Sequence, residues 1–157
     1  MISIIATIGK NNEIGNKGKL LWNLPSDLKF FKKLTINHTV VMGRVCYDKA
    51  KHLFPNRYNI VVSKTLGRES GIEIVNDPKN IIDRFLNTDD DVYIVGGASM
   101  YEVFLPYATK LYLTEIDDTK EADAFFPKVD KNLYSIHEID KGIENNISYK
   151  HVIYRKK

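Results

Sequence analysis

The stretch Ile2-Ser3-Ile4-Ile5-Ala6-Thr7-Ile8 limits the fold more than any other part of the chain. It is an apolar run, which is how a strand buried on both faces reads. A sheet covered on both faces needs helices between its strands. Pro25 to Thr35 reads as one, because proline suits the first helical position and Asp27 suits the positive end. Asp77-Pro78 opens a second helix to about residue 86, with the aspartate as cap. Shorter helices are expected over 43–50 and over 98–105, the latter stopped by Pro106. Between them, residues 39–42, 58–63, 72–75, 92–95 and 110–116 read as strands. Strands alternating with helices predict an α/β fold with a largely parallel sheet. Residues 133–140 and 148–155 are expected to close it as an antiparallel pair at one edge, joined through 141–146.

Residues 9–19 are rich in Gly, Asn and Lys and read as a long loop. Loops of this length inside a compact domain are usually functional or disordered. This one separates a core strand from a strong helix start, which favours function. Residues 117–124 form an acidic loop. With 157 residues and no repeat or linker, residues 1–157 are read as a single domain.

A chain of this length needs no covalent staple, and its one cysteine, Cys46, allows no internal disulfide. No segment approaches the length of a membrane span, and no basic leader precedes the first apolar run, so a cytoplasmic location is expected. The net charge of +3 is scattered, and its densest run is Arg155-Lys156-Lys157 at the terminus. There is no basic stripe with interleaved aromatics, which argues against a nucleic-acid partner.

The most informative segment runs from Leu20 to Phe31. At 100° per residue, Leu24, Leu28 and Phe31 fall on one side of the helix, bordered by Phe30 and Leu34. Asp27 falls inside this apolar arc. A carboxylate there must be paired or protonated if the face is buried. It could equally be a partner of the helix dipole. Taken singly, Thr114 reads as an ordinary strand residue, Arg57 as a surface arginine and Gly96-Gly97 as a structural turn.

Together these residues carry a resemblance. Trp22-x-x-Pro25-x-Asp27-Leu28-x-x-Phe31 resembles the substrate-binding helix of dihydrofolate reductases. Met42-Gly43-Arg44, Pro55-x-Arg57-x-Asn59, Gly96-Gly97, Tyr101-Glu102 and Leu111-Tyr112-Leu113-Thr114 follow in the family's order. The resemblance implies a mixed, mostly parallel eight-stranded sheet flanked by about four helices, acting on dihydrofolate with NADPH. It implies that Asp27 holds the pterin ring, with Trp22, Leu20 and Thr114 completing the catalytic group. Trp22 would hold an ordered water. Ile5, Leu28, Phe31, Phe54, Val95 and Tyr101 would wall the substrate, and Lys32 and Arg57 would meet its glutamate. Gly43, Arg44, Val45, Cys46, Ser63 and Lys64 would bind one end of the cofactor. Gly96, Gly97, Ala98, Ser99, Met100 and Tyr101 would take its phosphates, with Thr7, Ile14, Gly15 and Leu20 around the nicotinamide. No metal is implied, and a monomer is the expected state.

The chain departs from the family at three places. Cys46 replaces a threonine, Leu21 a proline and Ser99 an arginine. At a helix start, Cys46 is expected to have a lowered pKa, and Asp123 is expected to pair with the loop before Pro25. Two other readings exist: a related reductase acting on a pyrimidine intermediate of riboflavin synthesis, and a binding domain without turnover. The first would not need Trp22 with Asp27. The second would not need Asp27, Arg57 and Thr114 together.

Overall fold

In the computed structural model, residues 1–50, 54–67 and 71–157 are described. The first half contains β1 (Ile2–Ile8), β2 (Glu13–Asn16), β3 (Lys19–Leu20), α1 (Pro25–Thr35), β4 (Thr39–Gly43), α2 (Arg44–Ala50), β5 (Tyr58–Val62) and β6 (Ile72–Val75). The second contains α3 (Pro78–Phe85), β7 (Val92–Ile94), α4 (Ala98–Phe104), β8 (Lys110–Ile116), β9 (Ala124–Phe125), β10 (Tyr134–Glu144) and β11 (Ile147–Lys156). Eight strands make one sheet in the order β10-β11-β8-β1-β7-β4-β5-β6. Pairings from β8 through β6 are parallel, and β11 and β10 add antiparallel at the edge. This is the mixed α/β sheet with four helices that the sequence predicts.

Alternation along β1 divides its side chains between two cores. Ile2, Ile4, Ala6 and Ile8 face a cluster with Ile81 and Phe85 of α3 and Phe104 of α4. Ile5 faces the opposite cluster, with Val40, Met42, Val61 and Tyr93, against Phe31 and Leu34 of α1. Each fully buried isoleucine contributes about 1.5–3 kcal/mol relative to exposure. Thr7 shares the Ile5 side by the same alternation, and that places its hydroxyl under α1.

The helix signals act as expected at α3, where Asp77 accepts a hydrogen bond from the Lys79 amide at 2.9 Å. In α1, Thr35 is the one fully buried residue. Leu28 is 59% exposed. The apolar arc read from the sequence is therefore divided: Leu24, Phe31 and Leu34 pack inward, and Leu28 is left facing out.

Two regions differ from the sequence reading. The loop before Pro25 is partly ordered as β2 and β3, which pair with β9 in a second, three-stranded sheet. The closing hairpin is longer than expected, and its connection is two residues, not six. Asn145 and Asn146 both have positive φ, at 52° and 64°. That is the backbone of a tight hairpin turn whose twist matches the flanking strands. Among the described residues no helix is long and apolar enough to cross a membrane.

Candidate active site

Four adjacent strands present a row of polar side chains beneath α1. Thr7 of β1 is in register with Thr114 of β8, Thr114 with His151 of β11, and His151 with Asp140 of β10. Asp27, in the first turn of α1, reaches down onto this row. The Thr7 hydroxyl donates to its Oδ2. The Thr114 hydroxyl donates to its Oδ1 at 2.5 Å. His151 Nε2 lies 3.5 Å from the same Oδ1, at ion-pair distance. The Asp27 side chain keeps 18% of its exposure. An ionised carboxylate offers about four lone-pair sites, so two threonine donors leave acceptor capacity on the open side. The resemblance places Thr7 by the nicotinamide; in the structure its hydroxyl also serves the carboxylate.

Reading the sequence missed His151. It is 2% exposed and has no motif around it. Its signal would have been an alternating strand with one imidazole on the apolar side, which is indistinguishable from a core histidine without the register.

Further along the cleft, Arg57 is pinned. Its Nε donates to Thr35 Oγ1 at 2.8 Å, and its Nη1 to the Pro55 carbonyl at 3.0 Å. The guanidinium sits 5.7 Å and 5.6 Å from the ring centres of Phe31 and Phe54. Burial lowers its pKa somewhat, but arginine remains charged at any working pH. Phe31, Phe54 and Val95 pack with Ile5 in one cluster. The structure thus brings Ile5, Phe31, Phe54 and Val95 of the predicted wall together with the predicted cation, whereas Tyr101 packs in the other core cluster. Leu28 and Lys32 are exposed on α1.

On the other side of β1, the Gly96–Gly97 peptide is cis and leads into α4. Gly96 has φ +127°, and a Cβ there would lie 3.3 Å from the Tyr101 hydroxyl. That hydroxyl donates to the Ile5 carbonyl at 2.9 Å. A Cβ on Gly97 would meet nothing within 4 Å, so this turn presents bare backbone to open space, as a phosphate cradle requires. Ala98 is partly buried, Ser99 exposed and Met100 buried against Gly43. The Gly43 amide donates to the Gly96 carbonyl at 2.8 Å, which joins the two glycine turns.

At the start of α2, Arg44 pairs with Asp48 at 3.0 Å and reaches Thr65 at 3.4 Å. Ser63 Oγ accepts from the amides of Thr65 and Leu66. It orders the turn that carries exposed Lys64, and Val45 of α2 is exposed as well. Cys46 is a correction. Burial pushes its thiol pKa up, not down, and the side chain packs against the Ile5 cluster.

The family model for dihydrofolate reductase matches residues 1–156. The chain belongs to the dihydrofolate reductase family. It is 34% identical to the dihydrofolate reductase of Bacillus subtilis, covering 100% of this chain and 95% of that one. It is 43% identical to the enzyme of Buchnera aphidicola from Acyrthosiphon pisum, over 81% of this chain and 79% of that one. A solved dihydrofolate reductase from Enterococcus faecalis, complexed with NADP(H) and RAB-propyl, superposes with a TM-score of 0.90 at 28% identity. That match covers 100% of this chain and 96% of the other.

Within this dihydrofolate reductase, the loop before α1 is held by groups far along the chain. Lys17 donates its amide to Asp123 Oδ2 at 3.0 Å, and Asp123 donates its own amide to the Gly15 carbonyl at 3.1 Å. Buried Glu13 accepts from the amides of Asn11 and Lys120. Ile14 packs against the α3–α4 core, and Leu20 is 81% exposed. The Trp22 indole N–H donates to Asp118 at 3.1 Å, which helps hold that carboxyl below its usual range. The resemblance gives Trp22 an ordered water; here its one N–H is directed at Asp118. The donor is already taken, and Trp22 is a buried brace between the two loops.

Proposed function

We propose that Asp27 is the carboxylate by which this dihydrofolate reductase holds and activates 7,8-dihydrofolate for reduction to tetrahydrofolate. The observation that carries the reading is one half-buried carboxylate oriented by two threonine hydroxyls on a rigid sheet, with its outer lone pairs facing the cleft. A dihydropterin presents a ring N–H beside an exocyclic amino group. Both can donate to one carboxylate, and such charge-assisted bonds are relatively strong.

When bound, NADPH supplies a hydride. The reduction adds that hydride to ring carbon C6 and a proton to N5 of the same C=N bond. The Asp27 charge favours the cationic, N5-protonated pterin, and water delivers the proton. Phe31, Phe54 and Ile5 exclude solvent from the ring, and Arg57 pairs with the glutamate carboxylate through its planar fork. Gly97 and the α4 amides would hold a phosphate of the cofactor, and Arg44 and Lys64 would meet the adenosine 2′-phosphate.

The test is purified chain with dihydrofolate and NADPH, followed by loss of the reduced-nicotinamide absorbance. Turnover that is faster with NADPH than with NADH supports the reading. A folded chain without turnover on either would overturn it.

A further inference from the structure

We propose that His151, held from behind by Asp140, is a positioning residue for Asp27, a fixed counter-charge that sets the pH range over which hydride transfer runs. The geometry is a chain of three groups across the sheet. Asp140 Oδ1 lies 2.6 Å from His151 Nδ1, and His151 Nε2 lies 3.5 Å from Asp27 Oδ1. The imidazole is stacked on Phe30 of α1, with ring centres 4.1 Å apart and planes 9° from parallel. Among the described residues no hydrogen-bond partner is aligned with its buried Nε2, and the carboxylate it approaches is that of Asp27.

A local irregularity builds the device. The β10–β11 register pairs Glu138 with Val152 and then Asp140 with His151, with a bulge between. Regular pairing would set residue 139 opposite His151 and turn Asp140 to the other face of the sheet. Bulges re-aim side chains in this way. Asp140 is 59% exposed at its side chain and His151 3%, so the chain of groups runs from solvent to the floor of the cleft.

Among the described residues, few groups face His151 from the neighbouring elements. They are Asp27 on α1, uncharged Thr114 on β8, Asp140 on β10 and the Tyr149 ring at 5.2 Å on its own strand. Burial opposes a charge on His151, yet the two carboxylates outweigh it and its pKa stands above the ordinary value of 6.5. A cation beside Asp27 disfavours a further proton in the pocket. It therefore lowers the pH above which N5 protonation limits the rate.

This inference rests on Asp27 being the pterin carboxylate, and the experiment separates the two. Single-turnover hydride transfer is measured against pH for the native chain, His151→Phe, His151→Gln, Asp140→Asn and Asp27→Asn. The His151 ring is titrated by NMR in the ligand-free native, Asp140→Asn and Asp27→Asn proteins. Expected are a His151 pKa above 6.5 that falls in both carboxylate variants, and a rate midpoint about one pH unit higher in both His151 variants. A midpoint unmoved in both His151 variants, or a His151 titration indifferent to Asp140→Asn, overturns the inference. A midpoint unmoved only in His151→Gln also overturns it, because the neutral side chain would then suffice. If Asp27→Asn alone alters the profile, the role of Asp27 stands and that of His151 falls. If Asp27→Asn leaves the profile unchanged, the reading of Asp27 itself has failed.

Discussion

Ser26 and Glu144 meet across 118 residues of chain. The Ser26 amide donates to Glu144 Oε1 at 3.0 Å and its hydroxyl to Oε2 at 2.7 Å. Leu24, at the N-cap of α1, has no side chain able to cap it. The hairpin tip therefore supplies the anion that this helix start would otherwise take from its own sequence. Asp27 sits one residue after Ser26, so the cap fixes the height of the catalytic turn. Glu144→Ala is expected to cost about 1 kcal/mol of stability, the usual value of a lost cap. It should also raise KM for dihydrofolate. Chemical denaturation and steady-state kinetics on the one variant check both. A KM identical to that of the native chain would mean that the cap serves stability alone.

Arg57 is predicted to act in binding, not chemistry. Arg57→Lys keeps a cation but loses the bidentate fork and the placement over Phe31 and Phe54. It should raise KM for dihydrofolate by about tenfold, roughly 1.4 kcal/mol, with kcat nearly unchanged. A fall in kcat with unchanged KM would contradict the assignment.

The loop before α1 is predicted to depend on Asp123. Asp123→Asn weakens the acceptor for the Lys17 amide. Hydride transfer is expected to slow several-fold in single-turnover measurements, while the β2–β9 pairing survives. An unchanged rate would show that the contact plays no part in steadying the loop for catalysis.

His151 also has a consequence for stability. A histidine whose pKa is raised in the folded state stabilises the fold in its charged form. That contribution is fully present below the unfolded value of 6.5 and is lost as pH rises through the folded value. The denaturation midpoint of the native chain, taken relative to His151→Phe, should fall as pH rises above 6.5. A difference that stays flat or grows with pH would show that the imidazole is not charged in the fold.

The parts of this protein that the sequence announces are those governed by local rules. The Ile2–Ile8 run, Pro25, the Asp77-Pro78 cap and Gly96-Gly97 each act within a few residues, and each marks the element that the structure contains. Asp27 and Arg57 were legible because a family motif surrounds them. The remaining residues take their roles from register. Thr7 meets Asp27 because β1 lies beside β8. His151 meets Asp140 because of a bulge. Glu13 is buried because β2 pairs with β9, more than a hundred residues later. The Asn145–Asn146 turn was hidden because the polar residues around it resemble a longer loop. Alternation and spacing along one segment carry no record of which distant strand will lie alongside.

The most direct measurement is the rate of NADPH oxidation with dihydrofolate by the native chain and by Asp27→Asn at neutral pH. The amide keeps the size of the carboxylate but removes its charge, and it presents a donor where the pterin also donates. The account predicts rapid turnover by the native chain and a loss of at least about a hundredfold in the variant, with the loss reduced at acidic pH. Equal rates in a folded Asp27→Asn protein would leave the reaction standing and contradict the role of Asp27.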